Sequence, residues 1–309
     1  MNIEVLLTEA EIAHEFAEAL EARDLPEKFF YWFPLSVRAW RELSQSDENQ
    51  PLNRAWNVIG EKAQSITRHF GKAVPVVSFG AGDGSKDRAL MQALRSAGQE
   101  VKYFPVDASQ SLLEIACADA EDDEIEVLGI KADISSPMHL MLASDAAESP
   151  KLFLMAGNTL GGFDPLEQVR HVADCLHAED RLVIDGELYR PEALPAAAQT
   201  HAKKFAFAPL ASIGVTEEDG QIRFEQKRDE RHEGLYMITK RFHADRDLRV
   251  TVAAREIQMA RGERIFMNFH YRYTPEAFRW LLEEKGGLEV LEQTISSDGH
   301  FITAVCAKK

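Results

Sequence analysis

The spacing of apolar positions changes several times along the chain, and each change marks an element. In TEAEIAHEFAEALEA (8–22), Ile12, Phe16, Ala19 and Leu20 recur at helical spacing. Thr8 followed by Glu11 forms a capping box, which predicts where that helix starts. Leu25-Pro26 breaks it, and an unbroken aromatic run, Phe29 to Phe33, follows. SQSDENQP (44–51) reads as a loop and 52–70 as a second helix.

From residue 74 onward, short apolar runs alternate with helical segments. Strands are predicted at 74–80, 101–107, 125–133, 151–157 and 181–187, with helices at 85–97, 109–120 and 165–177. Such alternation implies a parallel sheet with right-handed crossovers, an α/β doubly wound fold. Residues 190–215 are rich in Ala and Pro and begin something different. From 221 to 273 the texture is strand-like in QIRFEQKR, GLYMITKRFHA, LRVTVAAREIQMA and RIFMNFHYRY, with turn residues at Gly220, Gly234, Asp245-Arg246-Asp247 and Gly262. This predicts an antiparallel insertion. A helix at 275–285 and strands at 288–296 and 300–307 return to the sheet.

A net charge of −16 argues against a nucleic-acid partner, since Lys203-Lys204 and Lys227-Arg228 are too short to make a basic patch. Cys117, Cys175 and Cys306 are far apart, so no metal or dithiol site is expected, and buried free thiols suit a cytoplasmic protein. Glu4, Glu9 and Glu11 do not suit a signal peptide, and no apolar run is long enough to suggest a membrane span.

The first parallel strand runs into Gly80-Ala81-Gly82-Asp83-Gly84-Ser85-Lys86 and then a helix. Glycines here let the backbone turn tightly and approach a ligand. The dinucleotide fingerprint needs a third glycine where Ser85 stands, so a cofactor without a pyrophosphate fits better. S-adenosylmethionine is such a cofactor. The next strand ends in Asp107, placed to accept from ribose hydroxyls, and the third ends in Asp133, placed to accept from an adenine amino group. Asp107 as a cap for the helix after it is the plainer alternative. After the fourth strand, Gly157-Asn158-Thr159-Leu160-Gly161-Gly162-Phe163 brings amide groups to the same sheet edge. A nicotinamide-dependent oxidoreductase, or an S-adenosylmethionine-binding protein without turnover, are the alternatives to a methyltransferase.

At these residues the chain resembles the histidine-specific, S-adenosylmethionine-dependent methyltransferases. The matching stretches are Leu25-Pro26-Glu27-Lys28-Phe29-Phe30-Tyr31, Gly80 through Lys86, Tyr103 to Ser109, Ala132-Asp133 and Leu152 to Gly161. The resemblance implies a class I methyltransferase-like sheet at 60–190 and 275–309. It implies a substrate-binding domain built from 1–59 with 191–274, and a cofactor site lined by Tyr31, Gly80, Lys86, Asp107 and Asp133, to which the glycine turn adds Gly82 and the loop after the fourth strand adds Asn158. It also implies departures. Ser78 replaces an acid, Gly162 stands where the family's asparagine holds the substrate amine, and Asn268 and His270 replace the residues that grip an imidazole. The acceptor is therefore expected to be a small amine, such as an amino acid, other than histidine.

In RIFMNFHYRY, alternation puts Asn268, His270 and Arg272 on one face, which suits a polar or anionic substrate. Methyl transfer to an amine needs alignment and loss of a proton, and His270 and Tyr31 are the candidate bases.

Overall fold

The computed structural model describes residues 1–191 and 200–309. In chain order the strands of the first half are β1 (Ile3–Val5), β2 (Ala73–Phe79), β3 (Glu100–Asp107), β4 (Glu126–Val127), β5 (Gly129–Lys131), β6 (Leu152–Met155) and β7 (Arg181–Glu187). The inserted strands are β8 (Gly220–Arg228), β9 (Leu235–Ala244), β10 (Leu248–Val252), β11 (Arg255–Met259) and β12 (Arg264–Tyr273). Two strands close the chain, β13 (Leu288–Ile295) and β14 (Phe301–Lys308).

The main sheet has the order β1-β5-β3-β2-β6-β7-β14-β13, with the short β4 beside β3. Among its described strands only β14 runs against its neighbours. Strand order reverses between β2 and β6, and in a doubly wound sheet ligands bind beyond the carboxyl ends at such a point.

The helices are α1 (Glu9–Ala22), α2 (Pro34–Ser44), α3 (Gln50–Glu61), α4 (Ala63–Thr67), α5 (Ser85–Ser96), α6 (Gln110–Asp122), α7 (Pro137–Asp145), α8 (Pro165–Asp174), α9 (Thr200–Ala211) and α10 (Pro275–Trp280). Alternation along the buried strands divides the sheet's core in two. Val77, Phe79, Phe153 and Met155 face α7, α8 and α10. Val74, Val76, Leu152 and Leu154 face α3 to α6. A third core joins Ile12, Phe16 and Leu20 of α1 to Phe242, Ile257 and Ile265 of the insertion. Each large side chain buried in this way contributes ~1.5–3 kcal/mol.

Several details differ from the pattern. The strand expected at 125–133 is broken into β4 and β5, and the helix expected at 52–70 ends at Glu61 before resuming as α4. β1 pairs with β5 in the main sheet, and α3 lies against α5 and β14, so parts of residues 1–59 belong with the sheet. LRVTVAAREIQMA is a hairpin, β10 and β11, turning at Ala253-Ala254. α10 covers only the start of 275–285, with a wider π turn completing it. Of the Ala- and Pro-rich segment, 200–211 forms α9, while 192–199 lies outside the described residues.

Candidate functional site

A cleft opens at the carboxyl ends of β2, β3, β5 and β6. Its floor is backbone. Gly80 adopts φ +71°, and a Cβ there would meet the Thr159 methyl group at 2.6 Å, so only glycine lets the two loops approach. Asp107, ending β3, accepts from Gly82 N and Ser109 N, both at 2.9 Å. Ser109, not Asp107, caps α6. Each Asp107 oxygen keeps a lone pair for a ligand. Burial raises its carboxyl pKa, and the Ser109 and Gly82 N–H groups only partly offset this.

Asp133 follows β5. Its Oδ1 accepts from Ser135 N and Oγ, and its Oδ2 meets Lys28 Nζ at 2.5 Å. Burial works against its charge, but the Lys28 ammonium and the Ser135 donors outweigh it, and the pKa falls. Lys86 on α5 donates to Gly80 O and Ala81 O at 2.6 and 3.1 Å, closing the glycine turn. Trp40, Leu52, Trp56, Ala108, Ile134 and Phe163 provide apolar walls. The expected Gly80, Gly82, Lys86, Asp107, Asp133, Asn158, Tyr31, Gly162 and His270 all line this one cleft.

Asn158 is a clamp. Its backbone sits at φ +56°, its N–H donates to Asp185 Oδ1 at 2.7 Å, its amide donates to Tyr271 O, and its Oδ1 accepts from Glu187 N. Its side chain thus ties the β6 loop to β7 and β12. Asp185 also accepts from Gly157 N, and burial raises its pKa to about 6 against these donors.

The residue at the centre is one that pattern reading passes over. Glu27, buried at the start of a single 3-10 turn (Glu27–Phe30), accepts from Tyr31 Oη at 3.0 Å and from Asn268 Nδ2, and its Oε1 lies 3.7 Å from His270 Nε2. Gly162 carries no side chain, and a Cβ there would stand 3.0 Å from Glu27 Cγ. Burial raises the Glu27 pKa, opposed by Lys240, Asn268 and Tyr31. Tyr31 is raised well above the usual phenol value, by burial and then by Glu27, so it holds its proton. His270 is depressed well below the usual imidazole value, by burial and then by Lys240 and Arg272, so it is neutral. Glu27 stands within the Leu25–Tyr31 stretch that carries the family resemblance and is the sole acid in LPEKFFYWFPL (25–35), yet neither fact assigns it a role.

Tyr31, Trp40, Leu52, Gly157, Asn158 and His270 also border a second chamber. Arg272 and Lys240 line this second space and not the first, and Arg272 Nη2 meets Glu187 at 2.8 Å. Asn268 does not line either chamber and acts through Glu27. Among the described residues no cluster with metal-ligand geometry occurs, no helix is long and apolar enough to cross a membrane, and Cys117, Cys175 and Cys306 are buried free thiols.

The donor set suits a nucleoside. Two carboxylates end adjacent strands, a glycine turn lies between apolar walls, and Lys86 is already held by two carbonyls rather than free for a pyrophosphate. The N-methyltransferase imqF of Aspergillus flavus is 23% identical over 189 residues, 58% of this chain and 50% of that protein. The 4-dimethylallyltryptophan N-methyltransferase easF of Epichloe festucae var. lolii is 24% identical over 147 residues, 46% of this chain and 42% of that protein. The chain thus aligns with half or less of the length of these curated relatives. A solved S-adenosylmethionine-dependent methyltransferase from Clostridium acetobutylicum superposes with a TM-score of 0.46 at 12% identity, covering 88% of this chain and 98% of that one. The family described as "Histidine-specific methyltransferase, SAM-dependent" matches residues 10–308, nearly the full length, and the chain belongs to it.

Proposed function

We propose that this S-adenosylmethionine-dependent methyltransferase transfers its methyl group to the nitrogen of a small amine, an amino acid or a close relative, other than histidine. Family membership sets aside the nicotinamide alternative. The observation that carries the reading is the meeting, in one cleft, of the glycine turn, Asp107 and Asp133 with the Glu27–Tyr31–His270 group. Two relatives named as N-methyltransferases support nitrogen as the acceptor atom. The changed contacts at Gly162, Asn268 and His270 support an acceptor other than histidine.

In this reading Asp107 holds the ribose hydroxyls, Asp133 the adenine amino group, and Gly80 and Gly82 the backbone approach. When bound, S-adenosylmethionine supplies an activated methyl group whose release leaves a neutral thioether. The amine attacks with its lone pair, so it must be neutral and in line. Glu27 is the group suited to hold it. Its carboxylate is made more basic by burial, it faces the cleft beside Gly162, and Tyr31 and Asn268 orient it. The nitrogen gains a carbon and gives up a proton, and Glu27 takes that proton. Tyr31 keeps its own proton and so positions rather than deprotonates. Neutral His270 offers a hydrogen-bond partner without adding a cation beside the sulfonium. Holding the reactants in this alignment can lower the barrier by ~7–11 kcal/mol.

The test is formation of S-adenosylhomocysteine when the protein is incubated with S-adenosylmethionine and a panel of amino acids and simple amines. Turnover with a primary or secondary amine is expected. Tight cofactor binding with no turnover on any amine would identify a binding protein instead, and absence of binding at millimolar cofactor would end the assignment.

A further inference from the structure

The second chamber has a chemistry that methyl transfer itself does not need. The chain is strongly acidic, yet this chamber is lined by Arg190, Lys240 and Arg272 against a single carboxylate, Glu187. Arg272 is 8% exposed and Lys240 7%. Arg272 uses Nη2 for Glu187, while its Nε and Nη1 are buried without a partner. Buried guanidinium groups ordinarily have partners for these N–H groups. Lys240 Nζ makes no hydrogen bond among the described residues and lies 5.8 Å from the centre of the Phe30 ring. Burial depresses its pKa to about 8, with Glu27 opposing and Arg272 adding to the fall. Both cations belong to the face that also carries His270. Asn268, His270 and Arg272 alternate along β12, and Lys240 on β9 is paired with Asn268.

We propose that Arg272 and Lys240 form an anion subsite, and that the methyl acceptor is an amine carrying a carboxylate several bonds from its nitrogen. The proposal rests on the methyl-transfer reading above, which places the nitrogen at Glu27 and His270. Glu27 lines only the first chamber, Arg272 and Lys240 only the second, and His270 borders both. An α-amino acid keeps its nitrogen and α-carboxylate on one carbon and is short for a ligand that reaches from one chamber into the other. A carboxylate on a side chain, or at the far end of a short chain, has that reach. Such a group would supply the acceptor that Arg272 Nε and Nη1 lack and a hydrogen-bond acceptor for Lys240 Nζ.

The test is calorimetry on the full chain, with and without saturating S-adenosylhomocysteine. The probes are glycine, β-alanine, γ-aminobutyrate, δ-aminovalerate and ε-aminocaproate, each beside the alkylamine of equal length. One of the longer acids is expected to bind about tenfold or more tighter than glycine and than its own alkylamine. Lys240→Met and Arg272→Gln are each expected to shrink the acid-to-amine ratio by about fivefold or more, while S-adenosylhomocysteine affinity, which reports folding, stays within about twofold. Should one variant fail to fold, the other still gives the ratio.

Alkylamines binding as well as the acids would overturn the proposal. So would glycine binding best, phosphoethanolamine binding where no acid does, or no acid binding at about 10 mM, a weaker limit than any millimolar subsite. Loss of S-adenosylmethionine binding by the wild-type chain would instead overturn the methyl-transfer reading, because the acids are also titrated without cofactor.

Discussion

At the scale of single residues, the site depends on one carboxylate kept basic by its surroundings. Glu27 is buried, and its raised pKa makes it a better proton acceptor than an exposed glutamate. Protonation of Glu27 should abolish its role, so kcat should fall as pH drops through its folded pKa, which lies above the ordinary glutamate value. Glu27→Gln is expected to lower kcat by about a hundredfold or more and to remove that acid limb, with cofactor affinity unchanged. A pH–rate profile that keeps its acid limb in the variant would assign the limb to another group. The contrast between Asp107 and Glu27 shows what the sequence makes legible. Gly80, Asp107 and Asp133 end consecutive parallel strands, so local pattern places them together. Glu27 meets Asn268 across 241 positions, and no local pattern carries that contact. Lys240 is hidden in the same way, as one basic residue among several on a strand.

At the scale of elements, the legible parts are those with a strong period or a cap. The capping box of α1, the parallel strands β2, β3 and β7 and the strands of the insertion lie close to their expected bounds. α2 is masked by the aromatic run ahead of it. The β10–β11 hairpin is masked because its turn has no glycine or asparagine. Ala253 and Ala254 sit at φ +48° and +62°, a conformation L side chains rarely adopt. The left-handed region costs a residue with a Cβ roughly 1–2 kcal/mol, and Asn-Gly is the pair that two-residue turns of this kind favour. The double replacement Ala253→Asn with Ala254→Gly is expected to raise stability by about 1–2 kcal/mol. Urea unfolding would register this as a higher midpoint at unchanged slope, and an unchanged or lower midpoint would contradict it.

At the scale of the whole molecule, the charge buried in the second chamber sets function against stability. Lys240 titrates near 8 in the folded chain against 10.5 for an ordinary lysine. As pH falls from that upper value toward 8, the unfolded chain takes up the proton first, so stability declines across this window and stays reduced below it. Lys240→Met is therefore expected to be more stable than the wild type near pH 7, by at most roughly 3.5 kcal/mol, since each pKa unit corresponds to ~1.4 kcal/mol. The advantage should shrink as pH rises past 8 toward 10. Thermal unfolding at both ends of that range reads it directly, and a variant less stable at neutral pH would show that Lys240 is held by more than burial suggests. A buried cation that lowers the stability of the fold fits a ligand-binding duty.

The bare Cα of Gly162 and the carboxylate beside it also couple two positions far apart in the sequence. A Cβ at Gly162 would press on the Glu27 side chain and shift it by a few tenths of an ångström. Losing Glu27 would leave Asn268 Nδ2 without its acceptor. A change at either position is therefore felt at the other, so the two are one unit for any redesign of this corner of the cleft.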